Sequence, residues 1–349
     1  MGLIIPCRGV DYGLHQNLES FLEQNYPNYH VVFVVDSKED SSFPVIEKVL
    51  EKYPDSRGKV VVSDMIEGTS GKISALIKGV HEIGDAEVLV FGDSDIRPGK
   101  SWLNYLTVPL DLDGIGATTG YRWYFPDKGG FSSTLRSSWN AVGLGILFNH
   151  KLNFVWGGSM AISREVFDRI GIVESWSGSL SDDYVITHAV KKNGYKIQFV
   201  PRSVAPSIED CTFSEFLEWS TKEISLVKVL DSRLWGVALG NYLLSGGITF
   251  LGAVLLVHGV ILQVISTPAL LMLIPIPLGI LKNYLRMIAF RSIMPHVRQL
   301  FDINKWGFLV TTPLVSWILL YNFLKSIFIK RINWRGRTYN LRPPYTISE

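Results

Sequence analysis

Between Val237 and Ile265 the chain carries no Lys, Arg, Asp or Glu, and His258 is its one ionisable side chain. About 20 apolar residues suffice to span the hydrocarbon of a bilayer, and soluble cores almost never use uninterrupted runs of this kind. Two more apolar segments follow. Pro268–Leu281, extendable to about residue 290, holds two further prolines, and Trp306–Ile329 has Lys325 near its end. These three segments force a membrane part onto any fold the chain adopts.

The rest of the chain is different. Charged residues run through positions 1–235 and thin out after Trp235, which leaves the whole sequence 47% hydrophobic and only 19% charged. A soluble-looking part therefore precedes the membrane part. The net charge of +2 is uninformative, and basic residues are not interleaved with aromatics in the first part, which argues against nucleic-acid binding. Cys7 and Cys211 form neither a disulfide framework nor a zinc site, and reduced thiols suit a cytosol-facing domain. Gly2-Leu3-Ile4-Ile5-Pro6 is too short for the apolar core of a signal peptide and reads as a first strand.

The first part alternates strand and helix patterns. Leu3–Pro6, Val31–Val35, Lys59–Ser63 and Val88–Phe91 are apolar runs of strand length. Between them lie helix patterns at Asn17–Gln24, at Ile46–Tyr53, and from the glycine turn Gly68-Thr69-Ser70-Gly71-Lys72 to about His81. This β-α-β-α order predicts an α/β fold with a doubly wound, mostly parallel sheet. Further on, Ala117–Tyr124 and Lys196–Val200 read as strands, Ser133–Leu147 and Asp182–Lys192 as helices, and Phe154–Ile162 as a loop and strand. Phe213–Leu230 has an apolar stripe of Phe213, Phe216, Leu217, Ile224 and Val227, a pattern shared by core helices and interfacial membrane helices; its place just before the first apolar segment favours the interface. The expected organisation is a catalytic domain over 1–212, an amphipathic interfacial helix over 213–235, membrane segments over 236–330 (about 237–265, 268–290 and 306–329) and a basic tail over 331–349.

One stretch carries chemistry. The run Val88–Phe91 ends in Gly92-Asp93-Ser94-Asp95, and residues i and i+2 of an extended chain point the same way. Carboxylates at the carboxyl end of a buried strand sit where open α/β sheets bind ligands. A pair of them suits a hard divalent cation and the phosphates it carries. Taken alone, Asp-x-Asp also fits a solvated turn. Right-handed crossovers bring Asp36, at the end of the second strand, to the same sheet edge.

The order and spacing of several elements resemble the inverting family-two glycosyltransferases with their GT-A fold, most closely the ceramide glucosyltransferase-like branch. The elements are Pro6-Cys7-Arg8-Gly9-Val10-Asp11, Gln24-Asn25-Tyr26-Pro27, Val34-Val35-Asp36, Gly71-Lys72-Ile73, Gly92-Asp93-Ser94-Asp95-Ile96-Arg97, Gly157-Gly158-Ser159-Met160 and Ser181-Asp182-Asp183-Tyr184, with Trp334-Arg335-Gly336-Arg337 in the tail. The resemblance implies a nucleotide-sugar donor, with Asp36 near its base or ribose, Lys72 in the donor site, and Asp93 and Asp95 holding Mg²⁺ or Mn²⁺ on its diphosphate. It implies that Asp183 deprotonates the acceptor hydroxyl, with Asp182 beside it, and that Gly157, Gly158 and Ser159 border donor sugar and acceptor. Arg335 and Arg337 are expected to reach the diphosphate.

Two departures stand out. The family's Arg-Trp pair after the base is here Glu218-Trp219, with Lys222 one turn on. Trp219 is expected either to stack on the acceptor or to anchor in the membrane interface. The N-terminal anchor of the branch's eukaryotic members does not show, which weakens ceramide as the expected acceptor.

The expected function is transfer of a hexose, glucose by resemblance, from a UDP-sugar to a lipid hydroxyl at the cytoplasmic face of the bilayer, by an integral membrane protein. A polysaccharide synthase and a non-catalytic nucleotide-sugar-binding membrane protein are the alternatives. Topology stays open. Lys282, Arg286, Arg291, Arg298 and Lys305 form one basic cluster, and Lys330, Arg331, Arg335, Arg337 and Arg342 another. The positive-inside rule puts both on the cytoplasmic side, which three complete crossings cannot do: either Trp306–Ile329 is re-entrant or interfacial, with Pro313 able to break it, or one charge cluster is translocated.

Overall fold

The computed structural model describes residues 1–54, 58–264, 266–341 and 347–348. Ile265, at the end of the first apolar run, and Arg342, in the tail, lie outside the described residues. The chain forms two compact units: Met1–Tyr124, Asn140–Glu209 and the chain from Asn333 on, and Phe125–Trp139 with Asp210–Ile332.

The elements of the first unit run β1 (Gly2–Pro6), α1 (Leu14–Leu22), β2 (His30–Val35), α2 (Phe43–Lys52), β3 (Gly58–Val62), α3 (Gly71–Glu82), β4 (Val88–Gly92), α4 (Trp102–Thr107), β5 (Ile115–Phe125), α5 (Phe131–Leu147), β6 (Ser159–Ser163), α6 (Arg164–Arg169), α7 (Ile172–Trp176), α8 (Asp182–Lys192) and β7 (Lys196–Ile208), with β5 and α5 running on across the unit boundary. Seven strands form one sheet in the order β3-β2-β1-β4-β6-β5-β7. β1 pairs in parallel with β2 and β4, and β2 with β3, while β6 runs antiparallel to both β4 and β5.

The strands are apolar along their whole length because both faces are covered. On one face Ile4, Val32, Val34, Leu89 and Phe91 pack with Ile73, Leu76 and Val80 of α3 and with Trp176 and Ile186. On the other, Leu3, Ile5, Val31, Phe33 and Val90 pack with Leu14, Leu18 and Phe21 of α1 and with Trp102 and Leu103 of α4. Alternation along each strand sends neighbours to opposite layers. The parallel register puts the ends of β1, β2 and β4 on one edge, and the sequence there supplies Arg8, Asp36 and Asp93.

The second unit is helical: α9 (Phe213–Leu230), α10 (Ser232–Ile261), α11 (Thr267–Leu273), α12 (Pro275–Ile293) and α13 (Arg298–Ser326). α9 starts with a capping box, in which Thr212 Oγ1 accepts the Glu215 N–H at 3.2 Å and Glu215 Oε2 accepts the Thr212 N–H at 2.8 Å. Among the described residues, three stretches are long and apolar enough to cross a membrane: Ser232–Ile261, Thr267–Ile293 and Pro295–Ser326. α13 continues through Pro313, so that proline does not break the segment. α11 and α12 separate at Ile274, just before Pro275.

After the helices come β8 (Arg331–Trp334), β9 (Arg337–Asn340) and β10 (Ile347–Ser348), a small sheet in the order β10-β9-β8. Arg335 and Gly336 turn between β8 and β9 with φ of 50° and 74°, the left-handed pair that tight hairpins require.

Candidate active site

The parallel strand ends, the first turn of α3, the start of α8 and the β8–β9 hairpin gather charged side chains in the first unit. Asp93 follows β4. Lys72, in the first turn of α3, places its Nζ 2.8 Å from Asp93 Oδ1 and 3.3 Å from Asp182 Oδ2. The sequence positions this lysine through Ser70, whose hydroxyl caps α3 by accepting the Ile73 N–H. Burial disfavours the ammonium, but Asp182, Asp93 and Asp183 outweigh it and hold the Lys72 pKa above its ordinary value.

Arg122, on β5, is 8% exposed. Its Nη2 lies 2.7 Å from Asp93 Oδ2, and its Nη1 donates to Asp95 Oδ2 at 2.9 Å and to the Tyr124 hydroxyl at 2.7 Å. The guanidinium lies over the Trp156 ring, 4.5 Å from its centroid. Burial pushes the Asp93 carboxyl up, and Lys72 and Arg122 more than reverse that, bringing it down to about 2. Asp95 Oδ1 is buried with no hydrogen-bond partner.

Asp182 and Asp183 open α8, where the free N–H groups of a helix start favour negative charge. Asp182 is 3% exposed, and burial, followed by the repulsion of Asp183 and Asp93, raises its pKa despite Lys72. Asp183 Oδ2 accepts the Gly157 N–H at 3.3 Å; its Oδ1 accepts from the Ser181 hydroxyl and from the Tyr184 N–H. A Cβ on Gly157 falls 2.1 Å from Asp182 Oδ2, and one on Gly158 falls 2.6 Å from Asp93 Oδ2, so only glycine lets this loop approach both carboxylates. Ser159 is turned into the core, its hydroxyl accepting from Trp102 Nε1 at 2.8 Å and donating to the Ser203 carbonyl at 3.0 Å.

The hairpin closes the cluster. Arg335 grips Asp11 with Nη1 at 2.5 Å from Oδ1 and Nη2 at 3.1 Å from Oδ2, while Ser94 donates to the same Asp11 at 3.0 Å. Arg337 lies 3.1 Å from Asp36 Oδ2, an oxygen it shares with Arg8 at 2.8 Å. Tyr339 Oη accepts the Gly71 N–H at 3.4 Å.

The structure thus brings together Asp36, Lys72, Asp93, Asp95, Asp182, Asp183, Gly157, Gly158, Arg335 and Arg337. Trp219 belongs to the second unit, where its ring meets that of Trp139 edge-on at 4.9 Å. Glu218 is exposed, and Lys222 pairs with Glu223 at 3.0 Å. Sequence reasoning missed Arg122, Arg8 and Asp11 as members of the site. For Arg122 the signal was present: an arginine inside an otherwise uncharged strand must find carboxylate partners if that strand is buried.

Among the described residues, no group of three or more His, Cys, Asp or Glu side chains is disposed to hold a metal ion by itself. Asp93 and Asp95 offer hard oxygen donors, and Asp95 Oδ1 is the buried donor left unsatisfied. Five cations, Arg8, Lys72, Arg122, Arg335 and Arg337, line a site of six aspartates, an arrangement suited to an anionic ligand that exchanges places with carboxylates.

The sequence profile described as Glycosyl transferase family 21 matches residues 1–347. The chain belongs to glycosyltransferase family 21. Among relatives of this family-21 chain, "Ceramide glucosyltransferase 3" of Caenorhabditis elegans is 22% identical over 222 residues, covering 62% of this chain and 48% of the relative. "Ceramide glucosyltransferase" of Candida albicans is 30% identical over 122 residues, covering 31% and 22%. The chain spans about half the length, or less, of the relatives it matches. Among solved structures, the mannosyltransferase PcManGT from Pyrobaculum calidifontis, in complex with GDP-Man and Mn²⁺, superposes with a TM-score of 0.52 at 14% identity, over 93% of this chain and 85% of that one. The expected GT-A fold, with apolar helices after it, is borne out, as is the resemblance to ceramide glucosyltransferases.

Proposed function

We propose that this chain is a membrane-bound inverting transferase that moves a hexose, glucose, from a UDP-sugar to a lipid hydroxyl and forms a β-linked glycolipid. The names of its relatives support the sugar and the lipid class. The reading rests on one observation: Lys72 bridges Asp93 at the strand end and Asp182 at the helix start, with Asp183 next in the chain and within its field.

Inverting transfer is a single displacement. Asp183 takes the proton of the acceptor hydroxyl, the freed oxygen attacks the anomeric carbon, and the bond from that carbon to the diphosphate breaks. A positioned base of this kind contributes about 10²–10⁴ in rate. The Gly157 N–H and the Ser181 hydroxyl orient the Asp183 carboxylate. Lys72, Arg335 and Arg337 meet the charge that develops on the leaving diphosphate, with Asp36 on the nucleoside. Asp93 and Asp95 would hold Mg²⁺ or Mn²⁺, and the unsatisfied Asp95 Oδ1 fits that role. Such an ion supplies Lewis-acid stabilisation of the diphosphate. Gly157 and Gly158 border the sugar. The basic clusters of the helical part favour a cytoplasmic position for this site.

The test is Asp183→Asn. Donor binding by calorimetry stays at the wild-type level and transfer is lost; transfer at the wild-type rate overturns the base assignment. Mass spectrometry of lipids from a host with and without the chain, and with Asp93→Ala, identifies the acceptor and counts the sugars added.

A further inference from the structure

The chain leaves the α/β unit after Glu209 and returns to it at Asn333. The return is anchored within that unit by Arg335 on Asp11, Arg337 on Asp36 and the Tyr339 hydroxyl on Gly71. A segment bound to these aspartates is on their side of the bilayer. The number of complete crossings between Glu209 and Asn333 is therefore even. Yet among the described residues three helical stretches are long and apolar enough to cross.

We infer that α13 is the one that does not cross. It lies in the membrane surface, with one flank seated in lipid. α10 and α11–α12 form a hairpin whose two ends lie on one side of the bilayer.

The packed flank of α13 meets polar groups of 125–139 and α9, and it also rests on α12, where Asn283 Nδ2 donates to Thr312 Oγ1 at 2.9 Å, and on α10, where Tyr242 stacks on Phe323 with centroids 5.6 Å apart. Phe301 contacts Phe125 with ring centroids 4.8 Å apart. Gly307 faces Thr134, and the Ser138 hydroxyl donates to the Phe308 carbonyl at 3.0 Å. Asn322 accepts from Trp139 Nε1 at 3.1 Å and donates to Ser220 and Thr221 of α9 at 3.0 Å each. Lys228 of α9 donates to the Ser326 carbonyl. Phe301 to Ser326 is about 38 Å of helix at 1.5 Å per residue, more than a bilayer core is thick. α9, alongside, carries Glu215, Glu218, Lys222, Glu223 and Lys228. A crossing α13 takes these charges into hydrocarbon, at about 2.5–3.5 kcal/mol for each charge at its centre.

The opposite flank is a single apolar stripe. Ile303, Trp306, Val310, Leu314, Trp317, Tyr321, Leu324 and Phe328 recur every three or four residues and are all exposed, Trp306 and Val310 at 70% and Phe328 at 79%. A crossing helix gathers its aromatics at its two ends, whereas this stripe spreads them along the length, as a helix lying at headgroup depth does. Lys305 and Lys325 lay their ammonium groups over the rings of Trp306 and Tyr321, at 4.9 and 5.4 Å from the centroids, with apolar stems along the stripe.

α10 is the contrast. Exposed apolar residues such as Leu244, Phe250, Val254, Val257 and Ile261 surround it, as in a lipid-embedded helix. Gly252 lets it close on Met272 of α11, which makes the pair a hairpin. With α13 in the plane, Arg291, Arg298 and Lys305 share one side with Lys330 and Arg331, and the positive-inside conflict disappears.

The experiment uses the full chain in a Cys211→Ser background with single cysteines at Lys48 on α2, Gln299 at the start of α13 and Lys330 after it, all exposed. A membrane-impermeant maleimide is applied to spheroplasts and to inverted vesicles of an expressing bacterium. All three positions are expected to label from the same side. Lys330→Cys labelling from the side opposite Lys48→Cys overturns the even crossing number, and Gln299→Cys labelling opposite Lys48→Cys makes α13 the crossing helix. In a second measurement, Val310→Cys, Trp317→Cys and Phe328→Cys carry a fluorophore in vesicles with lipids brominated at defined depths. Equal shallow depths are expected; a profile that passes through the bilayer centre at Trp317 overturns the proposal.

Discussion

Lys72 Nζ lies 2.8 Å from Asp93 Oδ1, and this ion pair ties the first turn of α3 to the end of β4. The same ammonium reaches Asp182, so removing it strands two carboxylates at once. Breaking a largely buried pair from one side costs about 3–5 kcal/mol. Lys72→Met is therefore expected to lower the unfolding free energy of the detergent-purified protein by that amount, with a lower unfolding midpoint, and to abolish transfer. An unchanged midpoint in a denaturant titration would contradict the bridging role.

Arg122 serves two carboxylates and a tyrosine hydroxyl with one planar fork. A lysine presents a single point charge and cannot span them. Arg122→Lys is expected to cost about 1–3 kcal/mol of stability through the polar groups left unpaired. Equal stability of Arg122→Lys and the wild type in guanidinium chloride would refute the fork.

Gly157 has no room for a methyl group, because the added carbon falls 2.1 Å from Asp182 Oδ2. Gly157→Ala must displace either the loop or the carboxylate. A displacement on the ångström scale near reacting groups costs about 10² in rate. Steady-state kinetics should show that loss in kcat with little change in donor KM. A wild-type kcat would show that the loop carries no positional demand.

Arg335 holds Asp11 in a bidentate pair at a left-handed backbone position. Arg335→Gln loses the charge, and a charged hydrogen bond contributes about 1.5–3 kcal/mol. Donor affinity measured by calorimetry is expected to fall about 10- to 100-fold, since 1.4 kcal/mol is a factor of ten. An unaltered affinity would remove the tail from the donor site.

Cys7 is 3% exposed and burial drives its thiol pKa upward, so the reactive thiolate is scarce at neutral pH and gains little as pH rises toward 9. In a Cys211→Ser variant, maleimide is expected to label Cys7 only after unfolding. Labelling of the native protein would show that the end of β1 opens.

Much of the fold was legible in the residues. Val31–Val35 and Val88–Phe91 are too uniformly apolar for anything but strands covered on both faces, and they became β2 and β4. Asp93 and Asp95 stand at the turn that ends such a strand, so local pattern marked them, while Lys72 and Asp183 were marked by the resemblance to known transferases. Arg122 was not legible in the same way. Its partners lie 27 and 29 positions earlier in the chain, and only the pairing of β6 between β4 and β5 brings β5 into that neighbourhood.

The sequence by itself determined that strand-forming runs end in carboxylates and that three charge-poor segments demand a bilayer, because hydrophobic burial acts locally on each run. The tertiary structure alone decided which cation answers which carboxylate, because an ion pair needs atoms within about 4 Å whatever their separation in the chain. It also decided what the last apolar segment packs on: Asn322 donates to Ser220 and Thr221 of α9, contacts across about 100 positions that no local pattern shows.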